Sequence, residues 1–186
     1  KPLKICIFTA TGDTYELTAT IESSGTAIYS ISYNDLDGDG RTELVVGWRV
    51  GTELQALTVY ALRPDGPTEL LRTDYVKYGI VDLDENQMED LVVLRSLPDG
   101  EGCAEYYVWQ DGGLVSRSMA RVSMTMAELS QQGRLTQGTL RGGEPALFVT
   151  GVVESAQTVT DILAMRNGEL TNIVLSAATG VSTEVA

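Results

Sequence analysis

Carboxylates alternate with other residues in the segment DLDGDGRTE, residues 35–43. Asp35, Asp37 and Asp39 occupy every second position, and Glu43 follows four residues later. Like charges at this spacing repel one another in a solvated turn, whereas a bound cation converts the repulsion into attraction. Calcium takes about six to eight oxygen ligands, which alternate carboxylates and backbone carbonyls can supply. The segment therefore predicts a calcium-binding loop.

The ligand positions of this loop are counted from Asp35 as the first. Carboxylates stand at the first, third, fifth and ninth positions and a backbone carbonyl at the seventh, which gives the set Asp35, Asp37, Asp39, Glu43 and the carbonyl of Arg41. Gly40 at the sixth position permits a sharp turn, because glycine adopts positive φ without steric cost. An EF-hand needs glutamate at the twelfth position. Val46 lies there inside an apolar run, so an EF-hand is excluded.

A second copy of the loop, DLDENQMEDLVVL, begins at Asp82 and aligns with the first without a gap. Its ligand set is Asp82, Asp84, Asn86, Asp90 and the carbonyl of Met88. Gln87 stands where the first copy has glycine, and positive φ costs a non-glycine residue about 1 kcal/mol. Asn86 also removes one formal charge. The second copy predicts either a second calcium ion or a hairpin whose acids face solvent.

A third copy, GTLRGGEPALFVTG, begins at Gly138 and has no carboxylate at the aligned ligand positions Gly138, Leu140, Gly142 and Ala146. We expect an ion-free turn there. Between the second and third copies, TMAELSQQ carries Thr125 and Glu128 at capping-box spacing, followed by good helix formers. This insertion predicts a short helix or turn on a connecting loop.

The apolar runs between the acidic loops predict the fold. Each copy contains short apolar or aromatic runs separated by Asp-Gly, Asn-Gly or Gly-Asp pairs, which are typical of tight hairpins. Four antiparallel strands in each repeat describe the blade of an all-β propeller. The predicted units are a part-blade at 1–26, blades at 27–74, 75–122 and 133–176, and the start of a further blade at 177–186. Such a chain is either a fragment of a larger propeller or a small ring closed by its terminal strands.

The loop DLDGDGRTELVV resembles the calcium loop of FG-GAP repeats, also called VCBS repeats, which form the blades of integrin-α-type β-propellers. The resemblance implies that the loop joins the first two strands of a blade and binds calcium through its first, third, fifth and ninth residues. That family prefers aspartate at the ninth position, where Glu43 stands here. The resemblance also implies an extracytoplasmic protein, secreted or cell-surface anchored, such as a bacterial surface protein or lipoprotein.

Composition excludes several classes of function. The formal charge of −13, from 26 acidic and 13 basic residues, disfavours nucleic-acid binding, which needs clustered lysine and arginine. No apolar run approaches the roughly 20 residues that span a bilayer. The absence of histidine removes Ser-His-Asp and Cys-His catalysis. We expect Cys6 and Cys103 to be two buried thiols, with a long-range disulfide as the alternative.

These features favour a non-catalytic calcium-binding module that binds a protein or glycan ligand or mediates adhesion, with calcium stabilising the blade loops. One alternative is a domain of a polysaccharide-active enzyme, for which the acids outside the loops are Glu53, Glu101, Glu105 and Glu154. Another is a purely structural scaffold. Six aromatic residues are candidate sugar-stacking platforms or packing residues: Trp48, Tyr75, Tyr78, Tyr106, Tyr107 and Trp109.

Overall fold

A computed structural model describes residues 3–23, 25–52, 54–153 and 156–181, without the side chains of 179–181. The strands are β1 (Leu3–Thr11), β2 (Thr14–Ser23), β3 (Ala27–Asn34), β4 (Glu43–Val50), β5 (Leu54–Arg63), β6 (Gly66–Asp74), β7 (Lys77–Val81), β8 (Asp90–Ser96), β9 (Gly102–Gln110), β10 (Gly113–Arg121), β11 (Arg134–Thr139), β12 (Pro145–Val152), β13 (Thr158–Arg166) and β14 (Glu169–Asn172). Two short helices are α1 (Met126–Gln132) and α2 (Ile173–Val181).

The strands form three four-stranded antiparallel sheets and one hairpin. The sheets are β3-β4-β5-β6, β7-β8-β9-β10 and β11-β12-β13-β14, and the hairpin is β1-β2. Neighbours in each sheet are consecutive in sequence, so every sheet is a simple meander. This confirms the predicted all-β class built from repeated four-stranded, blade-like units. The chain divides into one compact unit of residues 1–35 and 39–74 and a second of 36–38 and 75–186.

The first unit contains β1–β6. Its central strand β4 is buried on both faces from Glu43 to Trp48, which explains why ELVVGW reads as a continuous rather than alternating pattern. The indole of Trp48 donates to Thr58 Oγ1 at 2.7 Å, which satisfies both buried polar groups. Ile5 and Ile21 of the hairpin join the same apolar core, and β2 contacts β6. The hairpin thus packs against the last strand of the first four-stranded sheet.

The second unit contains β7–β14 and both helices. Its two sheets contact each other through their first strands, β7 and β11, and through their last strands, β10 and β14. Two hydrogen bonds join the last strands to each other: Leu170 N donates to Ser118 Oγ at 2.8 Å, and Asn172 Nδ2 donates to the Arg121 carbonyl at 3.0 Å. Buried residues of both sheets form one core. The sheets therefore stack with equivalent strands together.

Asp-Gly and Asn-Gly pairs close two of the hairpins as predicted. Asp111 and Gly112, between β9 and β10, have φ of 52° and 86°. Asn167 and Gly168, between β13 and β14, have φ of 54° and 80°. Two successive residues with positive φ are the requirement of a type I′ turn, whose twist matches that of the paired strands.

Helix α1 confirms the predicted helical insertion. Thr125 Oγ1 accepts a hydrogen bond from Glu128 N at 3.3 Å, and Thr125 N donates to Glu128 Oε2 at 2.8 Å. The reciprocal pair is a capping box, which satisfies two backbone donors at the start of the helix. Met126 and Leu129 are buried and anchor the helix in the core of the second unit.

Helix α2 corrects the prediction of another strand after the third sheet. Residues 173–181 are helical, whereas 173–176 were assigned to the third blade and 177–186 to the start of another; residues 182–186 lie outside the described part. The cause is local, because Asn172 Oδ1 accepts hydrogen bonds from Val174 N and Leu175 N at 3.2 and 3.3 Å. Asparagine in this position caps a helix, and the alanines that follow favour its continuation.

The two cysteines differ in burial, which corrects the expectation of two buried thiols. Cys103 is buried but Cys6 is exposed, and neither forms a disulfide. Cys6 lies on β1 next to Ile5, whose side chain is in the core. Because successive side chains of a strand point to opposite faces, burial of Ile5 directs Cys6 outward.

Candidate metal centre

The first acidic loop connects β3 to β4. Asp35, Asp37 and Asp39 each bring one carboxylate oxygen within 4.8 Å of the others, a spacing that can hold a metal ion. Leu36, between the first two acids, is fully buried, so the loop is anchored by its apolar residue while its carboxylates converge. The structure thus brings together three of the four predicted carboxylate ligands.

The second loop connects β7 to β8 and forms a similar group. Asp82, Asp84 and Asp90 bring carboxylate oxygens within 4.8 Å of one another. Leu83 occupies the position of the buried leucine in the first loop and is 2% exposed. Here the ninth residue, Asp90, belongs to the group. Both loops could therefore hold a metal ion.

The two loops share a hydrogen-bond pattern despite their different sequences. In each, the sixth amide donates to the first carboxylate, and the seventh amide donates to the side chain of the fifth residue. The four bonds are Gly40 N to Asp35 Oδ2 (3.0 Å), Gln87 N to Asp82 Oδ2 (2.9 Å), Arg41 N to Asp39 Oδ1 (2.7 Å) and Met88 N to Asn86 Oδ1 (2.7 Å). Asn86 therefore occupies the place of Asp39, as the alignment predicted.

The backbone of the two loops is also alike. Gly38 and Gly40 have φ of 72° and 82°, and the equivalent residues Glu85 and Gln87 have φ of 58° and 71°. L residues other than glycine are strained in this left-handed region by about 1–2 kcal/mol each. The second loop therefore adopts the same backbone at a higher conformational cost.

Gln87→Gly is expected to raise the free energy of unfolding by about 0.5–1 kcal/mol. Glycine removes the steric cost at φ 71° but increases the entropy of the unfolded chain, so the net gain is smaller than the strain itself. Urea unfolding in EDTA measures the change without a contribution from metal. Gln131→Gly in helix α1 is the matched control, and it should destabilise the chain by about 1 kcal/mol. A loss of stability in Gln87→Gly would contradict the assignment of strain.

Asp90 is the most buried carboxylate of the second loop, with 2% exposure. Its Oδ2 accepts from Tyr106 Oη at 2.7 Å and from Leu83 N at 3.3 Å. Burial raises the pKa of the Asp90 carboxyl to about 6, the charge of Asp84 also raises it, and the Tyr106 hydrogen bond lowers it. Neither donor is a cation. A bound metal ion would supply the positive charge that stabilises this carboxylate.

Four predicted ligands are not placed in either group: Glu43, Asn86 and the carbonyls of Arg41 and Met88. Asn86 stays a prediction. Glu43 is 3% exposed at the start of β4, paired with Asn34, and its carboxylate is not one of the three that converge in the first loop. The carbonyls of Arg41 and Met88 stay predictions. The third loop, residues 140–144, is shorter than the other two and is closed by backbone hydrogen bonds from Leu140 N to the Glu144 carbonyl and from Gly143 N to the Leu140 carbonyl.

The acids outside the loops have structural partners where they are described. Glu105 is 7% exposed and accepts from Arg95 Nε at 2.6 Å, and Glu101 forms an ion pair with Arg121. Glu53 and Glu154 lie outside the described residues. Burial disfavours the charged form of Glu105, but hydrogen bonds, first that of Arg95, outweigh it and hold the pKa of this carboxyl below its usual value of 4.5.

Glu105→Gln is expected to lower the free energy of unfolding by about 1–3 kcal/mol at neutral pH, because a charge-assisted hydrogen bond is weakened. A carboxyl whose folded pKa is depressed contributes stability above its unfolded pKa and loses it as the pH falls through the folded pKa. The difference between the variant and the wild type should therefore shrink below pH 4.5. Urea unfolding at several pH values measures this difference in the free energy of unfolding, and Glu16→Gln at an exposed position is the control. A difference independent of pH would contradict the ion pair.

The candidate aromatic platforms are mostly buried. Tyr106 is fully buried, Tyr75 and Tyr107 are each 7% exposed, and Trp48 is 1% exposed, so these four rings pack inside the protein. No local pattern in the sequence indicates that Tyr106 contacts a loop carboxylate, because the two residues lie on different strands. The same holds for Asp161, a fully buried carboxylate that accepts from Ser123 N and Ser123 Oγ at 2.6 Å each.

Two exposed aromatic residues lie on β3, the strand that precedes the first loop. Tyr29 and Tyr33 are 53% and 58% exposed, and Ile31 between them is 44% exposed. They occupy alternate positions of an edge strand, and alternate residues of a strand share a face. No motif in the sequence marks these three residues as exposed.

The described residues include no helix that is long and apolar enough to cross a membrane. Comparison with models of protein families gave no match for this chain, and comparison with curated proteins gave none either. The resemblance to FG-GAP repeats therefore rests on the loop motif together with the repeated four-stranded sheets that carry it.

Proposed function

We propose that this chain is a non-catalytic calcium-binding module built from β-propeller blades of the FG-GAP type, and that calcium stabilises its blade loops. One observation carries the proposal: two groups of three aspartates converge at equivalent loops of two repeated sheets. Hard oxygen ligands suit calcium better than a transition metal, because no histidine is present and neither group contains a cysteine.

Calorimetric titration with calcium chloride tests this proposal. The expected result is binding at the first loop, lost in Asp37→Ala, and weaker binding at the second, lost in Asp84→Ala. Titration with magnesium chloride is the control for metal type, since magnesium dehydrates reluctantly and prefers octahedral geometry. Absence of calcium binding to the wild-type chain would overturn the proposal.

We further propose that the module binds a protein or glycan ligand. The exposed tyrosines of β3 are suited to stacking on a sugar or packing on a protein. The first unit also has an open cleft of about 390 Å³, lined by Arg41, Arg63, Leu62 and Pro67 among others. Neither arginine makes an ion pair within the described part of the chain. The two arginines place positive charge next to the apolar side chains of the cleft, although the net charge of the protein is −13.

Glycan-array and pull-down measurements with calcium present test ligand binding. A retained ligand that is lost in Tyr33→Ala, with Tyr15→Ala as an exposed control on the hairpin, supports the binding role. Retention of no ligand favours the purely structural scaffold. A glycan-cleavage assay addresses the enzyme alternative, which would need two acids about 5–9.5 Å apart across a cleft. Turnover lost on mutation of one acid would overturn the non-catalytic proposal.

An extracytoplasmic location follows from the proposed ion. Extracellular modules bind calcium with dissociation constants of about 10⁻⁴–10⁻³ M, and cytosolic sites need much tighter binding. Loops that bring only three carboxylates together suit the weaker range. We therefore propose a secreted or surface-anchored protein, with lipid anchoring as one form. The measured dissociation constant of the first loop tests this, because a value far below 10⁻⁵ M would remove the argument.

A further inference from the structure

The side chains of Asp90 and Tyr106 form a buried pair beside the second acidic loop. Tyr106 is fully buried and Asp90 is 2% exposed. The Tyr106 hydroxyl donates to Asp90 Oδ2 at 2.7 Å, and this is a short bond between a neutral donor and a carboxylate. Tyr106 lies on β9, paired with Val92 of β8, so it reaches the end of β8 from the neighbouring strand.

The hydrogen bonds of Asp90 are confined to one oxygen. Leu83 N also donates to Oδ2, at 3.3 Å. Within the described residues Oδ1 accepts no hydrogen bond, although the side chain is almost completely buried. The carboxylate is thus held through Oδ2, and its other oxygen is left for a ligand in the group with Asp82 and Asp84.

The equivalent positions of the other sheets carry no hydroxyl. Tyr106 pairs with Val92 in the second sheet. The residue equivalent to Tyr106 is Val59 in the first unit, where it pairs with Val45. In the third sheet it is Ile162, which pairs with Phe148. An apolar residue fills the position beside the first loop, whose ninth residue is the longer Glu43. An apolar residue also fills the position beside the third loop, which has no carboxylate at the aligned ligand positions. Among these three positions, a tyrosine is found only in the sheet whose loop has aspartate as its ninth residue.

We infer that Tyr106 is a positioning residue for the ion of the second loop: its hydroxyl holds Asp90 through Oδ2 so that Oδ1 is presented to the cation. This inference rests on the proposed function of that loop. A neutral donor is suited to the task, because it stabilises the buried carboxylate without a positive charge that would compete with the ion. An arginine or lysine in the same place would form an ion pair with Asp90 and oppose calcium binding.

The test is calorimetric titration of the 186-residue chain with calcium chloride. Asp39→Ala disables the first loop, so that the remaining isotherm reports the second. In that background Tyr106→Phe is expected to raise the dissociation constant about 10- to 100-fold, the usual effect of removing a group that orients a metal ligand. Tyr107→Phe is the matched control, being the next residue on the same strand and pointing to the other face, and should leave the constant unchanged.

A second background separates positioning from general stability. In Asp84→Ala, which disables the second loop, Tyr106→Phe should leave the dissociation constant of the first loop unchanged. A merely structural hydroxyl would lower the melting temperature in EDTA and leave both constants as they were, and that outcome would overturn the inference. Absence of calcium binding to Asp39→Ala with Tyr106 intact would overturn it too, while the titration of Asp84→Ala would still decide whether the first loop binds calcium.

Discussion

Asp39→Ala is expected to abolish most of the stabilisation that calcium gives to this chain. At a hundredfold excess over the dissociation constant, one ion that binds only the native state adds about 2.7 kcal/mol to the free energy of unfolding. For a domain of this size that corresponds to a rise of about 5–10 °C in the melting temperature. Asp39 belongs to the group of converging carboxylates. Its loss removes one candidate ligand and one of the negative charges that attract the ion.

Thermal melts in EDTA and in excess calcium measure this effect. Asp84→Ala should remove a smaller part of the calcium response, because the second loop has asparagine instead of aspartate at its fifth position and a strained backbone. Asp13→Ala, an exposed turn residue outside both loops, is the control and should keep the full response. In EDTA, Asp39→Ala should melt no lower than the wild type, since removing one of several like charges relieves repulsion. A wild-type melting temperature that is the same in EDTA and in excess calcium would contradict the metal centre.

Asp161→Ala is expected to lower the free energy of unfolding by about 3 kcal/mol. Asp161 is fully buried on β13, and each of its oxygens accepts one hydrogen bond from Ser123, one from the backbone amide and one from the hydroxyl, both at 2.6 Å. Hydrogen bonds to a charged group contribute about 1.5–3 kcal/mol each, and the variant also leaves a buried amide without an acceptor. Ser123 lies between β10 and α1, so the contact ties two sheets of the second unit.

Urea unfolding of Asp161→Ala, with and without calcium, checks this expectation. The loss should be equal in both conditions, because Asp161 belongs to neither group of candidate metal ligands. Asp74→Ala, an exposed aspartate at the end of β6, should change stability by less than about 0.5 kcal/mol. An Asp161→Ala chain as stable as the wild type would show that the two short hydrogen bonds contribute nothing net.

The acidic loops show what short-range sequence information can predict. Asp35, Asp37 and Asp39 converge because residues two apart in a tight loop turn toward one point, and Gly38 and Gly40 take the positive φ that the turn needs. All of this lies within nine residues. The repeat at Asp82 was equally readable, and the hydrogen bonds of the two loops coincide. Local spacing thus predicted which aspartates converge in each loop, whereas Glu43, which was also predicted, is not in the first group.

Helix α2 and Cys6 show where the same information failed. The repeat pattern predicts another strand after the third sheet, yet Asn172 caps a helix there. Asparagine before a helix is a local signal of a helix start, but the repeat pattern favours a strand at the same place. Cys6 was expected to be buried from its residue type, but its face is determined by which neighbour, Ile5, enters the core. Residue type alone does not specify a face.

By itself the sequence determined the spacing of the loop carboxylates, the order of four strands in each repeat and the all-β class, because carboxylate spacing, hairpin turns and strand patterns are properties of a few consecutive residues. Only the tertiary structure decided which side chains support those features. Tyr106 reaches Asp90 across two paired strands, and Ser123 reaches Asp161 between two sheets. Such contacts join residues far apart in sequence, and their geometry depends on strand register and on the stacking of sheets, which no local pattern encodes.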